Sequence, residues 1–170
     1  AYFMILISKI LGRLFFAKDF FAAWTMTPLL TVSTIFSTLS LFLGAQFTAS
    51  KRSDLHLKSN IISMIANVIL NFILIKKMGI DGAAYGTMIS YFIVLVYRMV
   101  KTQGLIQLTF SKFKLYTVCV LLMAAATVTA VEQPGYLIIT VLLFAVSLLA
   151  YRSTIQQVVQ GIFHMITRKK

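Results

Sequence analysis

Residues 59–87 read SNIISMIANVILNFILIKKMGIDGAAYGT, and this stretch decides the fold. It opens with an uncharged, mostly apolar run over 59–75, breaks at Lys76 and Lys77, turns through Gly79 and Asp81, and resumes uncharged from 82 to 97. A bilayer core calls for about 20 mostly apolar residues per helix, within a range of about 17–25. The same rhythm extends outward in both directions. There are 31 residues without a formal charge between Asp19 and Lys51, and further uncharged windows cover 115–131 and 133–151. The pattern predicts an all-α integral membrane protein.

Composition agrees. Hydrophobic residues make up 59% of the chain and charged residues 12%, about half the charged share of an ordinary soluble domain. A net charge of +12 would suggest nucleic acid in a soluble protein. Here Lys and Arg collect between the apolar runs, and no basic patch interleaves with exposed aromatics, so a nucleic-acid partner is not expected. The single Cys119 lies in an apolar window, which leaves no disulfide framework or metal cluster. The chain opens on Ala1 in mid-helix, without a basic leader. It is therefore expected to be the downstream part of a longer membrane protein.

Six transmembrane helices are expected: a truncated one over 1–16, a long one over 21–48 with Pro28 in its first turns, then 58–76, 82–100, 114–131 and 135–152. Pro134-Gly135 is a turn signal that makes the last two an antiparallel hairpin. Alternate loops fall on alternate faces. One face receives eleven basic residues, among them Lys51, Arg52, Lys58, Arg98 and Lys101; the other receives Arg13, Lys18, Lys76 and Lys77. The positive-inside rule then places the C-terminus in the cytoplasm and residues 13–20, 76–81 and 132–135 outside. Over 153–170, Ile155, Val158, Val159, Ile162, Phe163 and Ile166 share one helical face ahead of a basic end. That reads as an interfacial amphipathic helix on the anionic cytoplasmic leaflet. His164, on its polar side, and His56, in a loop beside Asp54, are expected to be solvated.

Polar groups within the spans are the candidate chemistry. Asn67 and Asn71 lie one turn apart on one face. Facing lipid, their amides would go unpaired at a cost of several kcal/mol. They either bridge helices or line a substrate path. Thr27, Thr31, Thr34 and Thr38 form a stripe on helix 21–48 that either bonds back to the preceding turn in close packing or lines a hydrophilic cleft. Gly82 and Gly86 form a GxxxG that lets two backbones approach, most simply within one chain. Lys9 sits in an apolar segment with Arg13 one turn later, either snorkelling outward or serving a cavity. The four acids, Asp19, Asp54, Asp81 and Glu132, all fall at helix ends or in loops. No carboxylate pair, His–Asp cluster or Ser–His arrangement lies in the membrane, so no enzyme and no cofactor are expected.

Asn67-Val-Ile-Leu-Asn71-Phe-Ile-Leu-Ile, followed by Gly79-Ile80-Asp81-Gly82-Ala83-Ala84-Tyr85-Gly86-Thr87, resembles the N-x-x-L-I … GI-x-GAA-x-x-T signature of polysaccharide flippases. These belong to the superfamily that includes multidrug exporters and the lipid II flippase. Leu14-Phe15-Phe16-Ala17-Lys18-Asp19-Phe20-Phe21-Ala22-Ala23-Trp24 resembles the external turn before a lobe's fourth helix, and Gly44 to Lys51 that helix's usual end. Physically the signature is a corner: Gly79 ends one helix in a left-handed conformation, Asp81 caps the next, and Gly82 and Gly86 allow tight packing.

The resemblance implies a two-lobed transporter that moves undecaprenyl-diphosphate-linked oligosaccharide between leaflets by alternating access, for a capsule or O-antigen, in the bacterial cytoplasmic membrane. On that reading, 1–100 are the last four helices of the second lobe, 101–152 an additional pair, and 153–170 a cytoplasmic tail. The partners are the lipid-linked oligosaccharide, membrane lipids and the missing N-terminal lobe. Basic cavity residues in the family meet the diphosphate, and Lys9 is the position carried over. Asn67, Asn71, Thr31 and Thr34 complete the expected substrate-binding set. The alternatives are a multidrug or cation antiporter of the same superfamily, or a non-transporting fragment or scaffold.

Overall fold

The computed structural model describes residues 2–15, 24–102, 112–131, 135–149 and 152. Within them the chain forms six α-helices: α1 (Tyr2–Phe15), α2 (Met26–Ala49), α3 (Ser53–Met78), α4 (Ile80–Thr102), α5 (Lys112–Ala130) and α6 (Tyr136–Leu149). Three of these, α2, α3 and α4, are long and apolar enough to cross a membrane. Segments Leu115–Ala130 and Tyr136–Leu149 are apolar but shorter. Membrane association thus rests on three helices where six spans were expected. The interfacial helix expected over 153–170 lies outside the described residues.

Helix α3 outruns its uncharged window at both ends. Its 26 residues span about 39 Å at 1.5 Å per residue, against about 30 Å of hydrocarbon. Lys58, Lys76 and Lys77 therefore sit on helix near the two surfaces; Lys76 Nζ lies 3.8 Å from the centre of the Phe72 ring. That contact gives the ammonium an apolar ledge from which to reach water.

The α2–α3 connection is tight. The Arg52 amide donates to the Phe47 carbonyl (2.8 Å) and the Lys51 amide to Thr48 (3.0 Å). This pair of bonds is the Schellman closure, and it requires a left-handed residue at its centre. Lys51 fills that place at φ 57°. At the far end of α3, Gly79 turns the chain at φ 62°, ψ −138°. That region is open essentially to glycine alone, and it is an extended mirror-image conformation rather than the left-handed helical one expected. Helix α4 begins at once at Ile80, so Gly79 itself precedes the first turn and the Gly82 amide bonds back to its carbonyl at 3.0 Å. Asp81 is therefore inside the first turn and not the cap expected of it. Its carboxylate there complements the helix dipole and accepts a hydrogen bond from Thr25 Oγ1 at 3.3 Å, tying the starts of α2 and α4 together.

Helix α4 is sandwiched. Gly82 faces the backbone of α3 so closely that a Cβ there would collide with the Leu74 carbonyl, and a Cβ on Gly86 would collide with Asn71 Oδ1. The GxxxG pair thus packs within one chain. The opposite side of α4 presents Ala84, Met88 and Leu95 to a core shared with Leu29, Val32 and Phe36 of α2, Leu122, Ala125 and Ala126 of α5, and Ile5 of α1. In lipid such packing is driven by dispersion and close approach rather than by exclusion of water. Helix α3 lies at the edge, and Leu57, Met64, Val68 and Phe72 on it are all more than half exposed. In water such a face would be a liability; in hydrocarbon it is the ordinary outer surface of a bundle.

Candidate functional site

The polar residues of α3 fall at Asn60, Ser63, Asn67 and Asn71, spaced three, four and four residues apart, which is one helical stripe. The stripe runs along the seam between α3 and α4. At its closed end Asn71 Nδ2 donates to Asn67 Oδ1 at 2.9 Å, and Asn71 Oδ1 lies against Gly86. Asn71 is thereby a packing residue: its Nδ2 is spent on its neighbour one turn away, and its buried Oδ1 makes no hydrogen bond among the described residues. Asn67 faces both ways: it accepts from Asn71 and also lines an open groove of about 320 Å³ with Asn60, Ser63, Met64 and Tyr91. Groove walls made of amides, a hydroxyl and a phenol offer donors and acceptors at the depth of the bilayer, where lipid offers none.

The groove continues into a narrower cavity of about 80 Å³ reaching Ser37 and Ser40 on α2 and Arg98 on α4. Arg98 is 2% exposed. It donates from Nε to Ser59 Oγ (3.0 Å), from Nη1 to the Ser40 carbonyl (2.6 Å) and from Nη2 to Asn60 Oδ1 (2.6 Å). One guanidinium therefore pins α2, α3 and α4 together through neutral acceptors alone. Ser59 relays the network by donating to the His56 carbonyl at 2.7 Å, and His56 Nδ1 donates to the Gly44 carbonyl at 3.2 Å. Gly44 is needed for space: a Cβ there would press on the Arg98 guanidinium and the His56 ring. Asp54, the acid nearest in sequence to this cluster, is held by Arg52 at 3.0 Å on the exposed surface. That carboxylate holds the Arg52 guanidinium above its ordinary pKa through the hydrogen bond and its charge.

Two expectations are corrected here. Arg98 had been counted among the basic residues of a solvated face, and it is instead buried at that end of the bundle. His56 had been expected in a solvated loop, and it is half-buried on α3 because the helix starts earlier, at Ser53. Neither was legible from charge patterning. A basic residue near a helix end reads as interfacial, and only the small residues opposite it, Ser40, Gly44 and Ser59, mark the hole it fills.

The expected threonines of α2 do not join the groove. Thr31 Oγ1 bonds back to the Thr27 carbonyl and Thr34 Oγ1 to that of Thr31, each at 2.8 Å, and Thr34 and Thr38 are exposed away from α3 and α4. The hydroxyls of α2 that reach the cavity are Ser37 and Ser40. Lys9 belongs to α1, but its side chain lies outside the described residues. Gly79, Asp81, Gly82 and Gly86 form the structural corner at the opposite end from Arg98. Among the described residues no group of three or more His, Cys, Asp or Glu is placed to hold a metal ion. Comparison with protein-family models, with curated proteins and with solved structures gives no match, so the case for function is carried by this groove and its closing arginine.

Proposed function

We propose that this chain forms part of a flippase that moves lipid-linked oligosaccharide, on an undecaprenyl-diphosphate carrier, from the cytoplasmic to the outer leaflet of a bacterial cytoplasmic membrane. The observation that carries the reading is the polar groove along α3, set beside an exposed apolar face of the same helix. An amphiphilic cargo needs both surfaces at once. Its sugars meet Asn60, Ser63, Asn67 and the Tyr91 phenol, whose donors and acceptors match sugar hydroxyls. Its isoprenoid tail stays in the bilayer against Ile61, Met64, Ile65 and Val68. A second helical lobe covers the groove on its open side, and alternating access follows from rocking the two lobes about it. The C-terminus is cytoplasmic by the distribution of basic residues.

The test is complementation. A complete transporter carrying this sequence restores surface polysaccharide in a flippase-deficient strain. Ser63 lines both cavities, so Ser63→Leu replaces a groove hydroxyl by bulk and lowers export by about tenfold, the worth of roughly one lost polar contact, at unchanged protein level. Unchanged export in that variant would remove the groove from the transport path.

A further inference from the structure

The cavity of about 80 Å³ at the arginine end holds two deeply buried polar groups with unused hydrogen-bonding capacity. Ser40 is 3% exposed and its Oγ makes no hydrogen bond. This contrasts with Thr31, Ser33, Thr34 and Thr38 on the same helix, whose hydroxyls all close back on the preceding turn. Arg98 carries five N–H donors and spends three of them on Ser59, Ser40 and Asn60. One N–H on each Nη atom remains without an acceptor among the described residues. A guanidinium without a carboxylate is an unbalanced charge, and membrane-buried cations are normally paired or set in a water-filled path. Its free planar N–H groups are matched best by two oxygens of one oxyanion. The space suits it, since a liquid water occupies about 30 Å³ and the cavity is two to three times that.

We infer that Arg98 and Ser40 form a binding subsite for a single phosphoryl group. Arg98 supplies charge and two N–H donors, and Ser40 Oγ supplies a third donor. Arg98 stands one turn before the end of α4 at Thr102, and Ser59 less than two turns inside the start of α3. At about 1.5 Å per residue that is 6–9 Å below the helix ends, within reach of the phosphate of a lipid in the leaflet on that side. The open groove leading in past Asn60 and Ser63 leaves room for the rest of such a lipid. The site deepens the transport reading by naming the chemical group held. It rests on that reading only in making a lipid, rather than free phosphate, the source.

The full chain in nanodiscs of phosphatidylcholine with one-tenth phosphatidic acid tests it. Native mass spectrometry after gentle delipidation should find about one phosphatidic acid retained per chain in preference to phosphatidylcholine, and inorganic pyrophosphate should compete for it. Ser40→Ala removes a hydroxyl that holds nothing in the fold and should weaken retention about tenfold with helicity and thermal midpoint unchanged. Arg98→Gln should abolish retention. Equal retention of both lipids with no effect of pyrophosphate, or wild-type retention by Ser40→Ala, overturns the site. Binding of pyrophosphate without any preference for phosphatidic acid keeps the phosphoryl site and assigns it to a free anion. Wild-type retention by both variants sinks the site and leaves the transport reading standing; phosphoryl binding in a transporter that exports nothing does the reverse.

Discussion

Arg98 does the work of a helix clamp at one end of the bundle, and the chemistry of its head group explains why that position is filled by arginine. A planar fork reaches acceptors on two neighbouring helices at once, a carbonyl on α2 and side chains on α3. A lysine ammonium is a compact point charge and cannot span them. Arg98→Lys is therefore expected to lower stability by about 1–2 kcal/mol, roughly the worth of the bonds it forfeits, measured by equilibrium unfolding in mixed micelles. A change under a few tenths of a kcal/mol would show that the three bonds are incidental. Lys51 makes the opposite case. It holds a left-handed conformation at φ 57°, which costs a non-glycine residue about 1–2 kcal/mol. Glycine avoids that cost but loses about 0.5–1 kcal/mol to chain entropy, so Lys51→Gly should stabilise by up to about 1 kcal/mol, and destabilisation by that variant would mean that the Lys51 side chain makes a compensating contact.

At the scale of elements, the α3–α4 corner is held by the absence of side chains. Gly82 has the α3 backbone where a Cβ would be, and a carbonyl cannot step aside as a flexible side chain can. Gly82→Ala is expected to cost about 1–3 kcal/mol through overpacking, read as a lowered thermal midpoint with the helix content of each segment retained. This corner was legible in the residues themselves, because Gly79, Gly82 and Gly86 each perform a task that only a missing side chain allows. That Asn67 and Asn71 share a face was legible from their spacing of four, but their bond to each other was not, since the two amides were expected either to bridge helices or to line a substrate path. The groove-facing side of α2 was not. Hydroxyls run around much of that helix, so spacing alone favoured the threonine stripe, whereas the neighbours α3 and α4 select Ser37 and Ser40. The position of Asp81 was missed for a local reason: Gly79 turns the chain sharply enough that the helix starts at Ile80, two residues sooner than expected.

Across the whole molecule, two ends can be told apart. Thr25, Gly79 and Asp81 gather at one, and Gly44, His56, Ser59 and Arg98 at the other, with the polar groove opening between them along α3. In the orientation proposed above from the basic-residue count, the arginine end faces the cytoplasm. A cysteine introduced at position 133, in a chain whose Cys119 is replaced by Ala, should accordingly react with an impermeant thiol reagent in intact cells; reaction only after lysis would invert the topology. The claim on which the rest depends is that a polar, accessible path runs along α3 at membrane depth. Cysteines placed singly at Asn60, Ser63 and Asn67, and at Val68 and Phe72 on the apolar face, test it most directly in sealed membranes. A charged maleimide is expected to label the first three and to spare the last two. Labelling of none of them, or of all five alike, would contradict a groove and leave α3 an ordinary lipid-facing helix.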